Sequence, residues 1–77
     1  MGFGRNPHVA KAEAAEQKAI AATNDSAYAL AWREAAHLWE RAAERETDAK
    51  RKAQYSESAE RARTTADEPR SEHDVNE

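Results

Sequence analysis

The sequence predicts an all-α protein, a small three-helix bundle, on three observations. Only two glycines and two prolines occur in 77 residues. Alanine supplies nineteen of the thirty apolar residues. Charged residues make up 35% of the chain, yet the net charge is only −3 because the two signs interleave. Strong helix formers carrying paired charges argue against both a sheet and a flexible coil. Leu, Ile, Val and Phe together number six, far fewer than a conventional core uses. Mean hydropathy is −1.12, so helix backbones packed closely through alanine are expected to replace bulky side chains.

The first helix is expected over residues 7–23, behind an arm of residues 1–6. Asn6 can cap its free amides, and Pro7 suits the first helical position. Thr23-Asn24-Asp25-Ser26 gathers capping and turn residues and breaks the chain. A second helix follows over 27–45. Glu46-Thr47-Asp48 makes a softer break, with Thr47 as the expected cap and Asp48 in the first turn of a third helix over 48–66. Residues 67–77 carry five acids against Arg70 and read as an acidic, disordered tail. Without that tail the body carries +1.

The second helix holds the clearest periodicity. At about 100° per residue, Tyr28, Ala31, Trp32, Ala35, Leu38, Trp39, Ala42 and Ala43 form one stripe. Arg33, His37, Glu40, Arg41 and Glu44 take the opposite side. The first helix offers Val9 and Ile20 on one face, with Ala12, Ala19 and the intruding carboxylate of Glu16. The third offers Tyr55, Ala59, Ala62 and Ala66. The expected core is therefore Val9, Ile20, Tyr28, Trp32 and Trp39, clasped by two alanine faces. A competing arrangement merges the second and third helices into one, from about residue 26 to 66, which dimerises through the aromatic stripe.

The run Ala31-Trp32-Arg33-Glu34-Ala35-Ala36-His37-Leu38-Trp39-Glu40-Arg41-Ala42-Ala43-Glu44 resembles the aromatic and alanine helix of tetratricopeptide repeats and of the microtubule-interacting-and-transport (MIT) domain. The MIT domain is the closer likeness. Its third helix contains a Gln-Tyr-x-x-x-Ala-Glu segment, and this chain has Gln54-Tyr55-Ser56-Glu57-Ser58-Ala59-Glu60. The resemblance spans roughly residues 12–63. Ala62 and Ala66 stand where MIT domains place leucines, and the loop before Trp32 is longer than in either family. The resemblance implies a groove beside the third helix that accepts a short amphipathic helix from another protein. Its lining, carried over, is Leu38, Tyr55, Ala59, Ala62 and Arg63.

Leu30 lies opposite the stripe and joins these partner-binding candidates, although single exposed leucines are also ordinary. Glu34-x-x-His37 matches half of a di-iron bundle motif, but it has no second copy and sits on the polar face, so no metal is expected there. His73, between Glu72 and Asp74, could hold one only loosely in a tail read as disordered, so no metal is expected there either. Lys50-Arg51-Lys52 is the only basic run. Asp48, Glu46 and Glu57 neutralise it, so no nucleic-acid binding is expected. Trp32 and Trp39 read as core rather than as stacking platforms. Glu16 is expected either to reach solvent along its stem or to pair with an arginine of another helix.

No cysteine is present, which removes thiolate metal sites and cysteine nucleophiles. No serine or histidine pair has a spacing that suggests a nucleophile and its base, so neither catalysis nor a cofactor is expected. No apolar run approaches a membrane span, and the start of the chain does not read as a secretory signal. The expected protein is a cytoplasmic interaction module, with a homodimer as the other arrangement of partners.

Overall fold

The computed structural model describes residues 6–68. It contains three helices, α1 (Pro7–Ala21), α2 (Asp25–Arg45) and α3 (Ala49–Asp67), and no strand among the described residues. The expected arm, apart from Asn6, and the expected tail from Pro69 onward, with His73, lie outside the described residues. Asp67 and Glu68, expected in that tail, belong to the bundle. Asp67 is the last residue of α3 and Glu68 its C-cap.

Each helix starts on a side chain that satisfies an amide left free by helix geometry. Asn6 accepts from the His8 amide at 3.0 Å, and Pro7 follows at the first helical position. The Asn6 side-chain amide also donates to the Ala42 carbonyl at 2.8 Å. One asparagine therefore caps α1 and ties its start to the last turns of α2. Asn24 accepts from the Ala27 amide at 2.8 Å, so α2 begins two residues earlier than the periodicity suggested. α1 ends correspondingly early, at Ala21.

The cap of α3 is Asp48, not Thr47: its carboxylate accepts from the Arg51 amide at 3.0 Å. Asp48 in turn donates its own amide to the Glu46 carboxylate at 3.0 Å, and the same Glu46 oxygen faces Arg51 at 3.9 Å. A carboxylate held on both sides fixes extended backbone at Glu46 and Asp48. The single helix over residues 26–66 is thus excluded: α2 and α3 are separate and antiparallel.

The core is built of alanine. Ala12, Ala15 and Ala19 of α1, Ala31, Ala35, Ala36, Ala42 and Ala43 of α2, and Ala59, Ala62 and Ala66 of α3 are buried. Trp39, 7% exposed, is the one large side chain in the buried set, with Val9, Trp32, Leu38 and Tyr55 packed partly against it. Small side chains let backbones approach closely. Both α1 and α3 use this approach to pack along α2. No α-carbon of α1 comes within 8 Å of one in α3 among the described residues. α2 is therefore the middle of three, and its flanking helices leave space between them over its aromatic face.

Ile20, expected in the core, is 64% exposed. It lies one residue, about 100°, around the helix from buried Ala19. The line of Ala12, Ala15 and Ala19 docks α1 on the core and leaves Ile20 outward, while Val9 packs partly against the core. Tyr28 is half-buried and meets Trp32 edge-on, with ring centroids 6.3 Å apart.

Candidate functional site

Two recesses lie one on each side of α2. The first is a cleft of about 180 Å³ between α1 and α3, lined by Glu16, Trp32, Trp39, Ser58, Arg61, Ala62 and Thr65. The aromatic stripe of α2 forms its floor. Trp39 stacks on Tyr55 at a centroid distance of 5.7 Å and an interplanar angle of 27°. Ser58, Ala62 and Thr65 are separated by the three- and four-residue steps that put them on one face of α3. The Thr65 hydroxyl donates to the Arg61 carbonyl at 2.8 Å, so it serves its own helix.

Glu16 sets the chemistry of the cleft. Its carboxylate accepts a hydrogen bond from the Trp39 indole nitrogen at 2.7 Å. An arginine was one expected partner; the indole takes that place. A buried tryptophan needs an acceptor for its N–H, and an ionised acceptor makes the bond short and strong. The carboxylate that interrupts the apolar face of α1 is therefore what allows Trp39 to be buried. Trp32 has no such acceptor: its indole nitrogen is shut off from solvent without a hydrogen-bond partner among the described residues.

Glu16→Ala is expected to destabilise the fold by about 1–3 kcal/mol, because the Trp39 N–H stays buried and loses its acceptor. In the Trp39→Phe background the same substitution should be nearly neutral. A double-mutant cycle from urea titrations measures the difference, and equal effects in both backgrounds would refute the assignment.

The second recess is a seam along α1 and α2 on the other side of α2. Its end near the α1–α2 turn is lined by Lys18, Ala21, Ala22, Thr23, Ala27, Leu30, Ala31 and Glu34, with a volume of about 400 Å³. It continues past Lys11, Ala14, Ala15 and Leu38. An ion pair of Lys18 with Glu34, at 3.7 Å, crosses it between exposed side chains. Leu30 stands on its edge, 67% exposed.

The structure separates the six residues expected to bind a partner. Leu30 and Leu38 line the α1–α2 seam. Tyr55 lies on the far side of α2, against Trp39. Ala59 and Ala62 are 2% and 1% exposed, packed in the α2–α3 interface, with Ala62 also bordering the α1–α3 cleft. Arg63 is ion-paired with Glu40 and lies 3.4 Å from Glu60. It borders a polar recess with Arg33, Ala36, His37 and Glu40. Of the lining expected for a groove beside the third helix, Ala62 reaches the α1–α3 cleft, Tyr55 lies in a recess with Val9 and Glu13 of α1, and Leu38 lies across α2 from both.

Lys11 and Lys18 of the seam, and Ser58, Arg61 and Thr65 of the cleft, were not singled out by sequence reasoning, and Glu34 was considered only as half of a metal motif. The available signal was Glu16 facing polar positions 58, 61 and 65, which marks two helix faces that do not pack on each other. No group of three or more potential metal-ligating side chains converges among the described residues. No helix of the described residues is long and apolar enough to cross a membrane.

The fold and its two recesses define a small all-α protein with alanine interfaces. Compared with known protein families, curated proteins and solved structures, the chain matches none.

Proposed function

We propose that this protein is a small protein–protein interaction module, MIT-like in its use of three helices, that takes a short amphipathic helix of a partner into the α1–α2 seam. One observation carries the reading. A chain with only two leucines leaves Leu30 67% exposed at the rim of an alanine-floored groove. Alanine floors admit a close helix backbone, and Leu30 and Leu38 offer apolar anchors about two turns apart. Lys11 and the Lys18–Glu34 ion pair put charge of both signs along the groove, which favours a partner helix with a charged rim. In this reading the protein acts in the cytoplasm by binding alone, with no catalysis, cofactor or metal of its own.

The test places a photo-crosslinking residue at position 30 and, as a control, at exposed position 57 on α3. Light should join position 30, but not 57, to a partner peptide whose sequence is an amphipathic helix. With the photo-crosslinking residue moved to exposed Ala27 of the same recess, Leu30→Asp should abolish the adduct while changing stability by no more than about 0.5 kcal/mol, as for other exposed positions. Identical adducts from both positions, or adducts only to a second copy of the chain, would overturn the reading.

A further inference from the structure

We infer that the open face between α1 and α3 is the contact surface of a homodimer, in which two copies of this chain meet about a two-fold axis parallel to the helices. The face lies across α2 from the seam. The dimer therefore leaves the seam free and does not rest on the function proposed for it.

α1 and α3 each pack on α2 but not on one another. The groove between them runs past Val9, Glu13 and Tyr55 at one end and past Glu16, Trp32 and Thr65 at the other. Its apolar side chains are only partly covered. Val9, Trp32 and Tyr55 are half-buried, and Ile20 is 64% exposed. Steps of three and four residues put Ile20 on the same side of α1 as Val9, Glu13 and Glu16. A second surface laid on this face removes that apolar area from water.

Charge identifies the second surface. The α1 edge of the groove is acidic, with Glu13 and Glu16, and the α3 edge is basic, with Arg51 and Arg61. Glu13 and Arg51 line one recess and Glu16 and Arg61 the next, so each acid stands level with a base. A two-fold axis parallel to the helices keeps those levels and exchanges the edges, which lays α1 of each copy over α3 of the other. Glu13 of each copy then faces Arg51 of the other, and Glu16 faces Arg61. An interface between identical surfaces requires this reciprocity. An axis across the helices would set α1 on α1, acid against acid. Glu13 and Arg61 are exposed and join no ion pair among the described residues, so both charges are open to a second copy.

The area is sufficient for a weak dimer. α1 and α3 are 15 and 19 residues long. At a rise of 1.5 Å per residue and a width of about 10 Å each, they present roughly 500 Å². A specific interface needs about 1,000 Å² in total, or about 500 Å² from each copy. The Kd should accordingly lie at about 10–100 μM.

Sedimentation equilibrium of the full chain between about 1 μM and 1 mM should show the mass rising from 8.6 kDa toward twice that value. Ile20→Asp should weaken the dimer by about tenfold or more. Leu30→Asp, at the other exposed large hydrophobic, across α2, should leave it unchanged. Glu13→Arg and Arg51→Glu, both at exposed positions, should each give monomers, because like charges then face one another. Mixed in equal amounts, the two variants should form a dimer of one copy of each, since both crossed pairs regain opposite charge. No contact within a single chain can produce that rescue. Circular dichroism checks that each variant is folded, and the Ile20 and Leu30 variants decide the matter if a charge reversal unfolds the chain. A chain that stays monomeric throughout, equal losses from Ile20→Asp and Leu30→Asp, or a mixture of folded charge variants that stays monomeric would overturn the inference.

Discussion

Trp39→Ala should abolish cooperative folding at 25 °C. Trp39 is the one large side chain buried among the described residues, and it joins all three helices: it packs within α2, stacks on Tyr55 of α3 and donates to Glu16 of α1. Removing a buried tryptophan side chain costs about 3–5 kcal/mol. A domain of this size rarely has more than about 3–5 kcal/mol of stability in hand. The buried neighbours can compensate little, because the alanines that make up most of the core have no rotamers with which to fill the void. Far-ultraviolet circular dichroism against temperature measures the effect. A sigmoidal melt in the variant, with a midpoint near that of the parent chain, would show that the core does not depend on this residue.

The second large effect runs against the intuition that a poor core gains from added bulk. Ala35→Leu should destabilise the protein by about 1–3 kcal/mol or more through overpacking. Leucine is nearly as good a helix former as alanine, so helix propensity cannot account for the loss. Ala35 is fully buried, as are Ala12 of α1 and Ala42 of α2, at interfaces where helix backbones meet across methyl groups. A leucine there forces two helices apart along their length. Ala53→Leu, at an exposed position of α3, is the control and should leave stability unchanged. Urea midpoints for the two variants settle the matter: equal midpoints would mean that the alanine interfaces are loose.

The helices and two of their three starts were legible because they rest on local rules. Asn6-Pro7 and the Asn24 cluster are signals confined to a few residues, and the structure uses both asparagines as caps. Asp48 displaced Thr47 because the outcome depended on Glu46 folding back to hold the Asp48 amide, a contact that neither cap propensity contains. Ile20 was misplaced for a related reason. Hydrophobicity ranks it above alanine, but the docking line of α1 runs through Ala12, Ala15 and Ala19, and close approach decides the helix rotation. The open cleft was not legible for the same reason. A bundle of three helices suggests three mutual interfaces, and only the polar positions Glu16, Ser58, Arg61 and Thr65 hinted that one would be absent. Leu30 was placed on the outer side by its angle alone, whereas the seam beneath it required knowing how α1 sits.

Because α1 and α3 meet only through α2, the domain behaves as a stack with nearest-neighbour coupling, in the manner of helical repeat arrays. Each hairpin closes a short stretch of chain, and no interface joins the first helix to the third. Low contact order of this kind goes with folding in microseconds to milliseconds. It also means that cooperativity passes through a single element: whatever unravels α2 releases both neighbours at once.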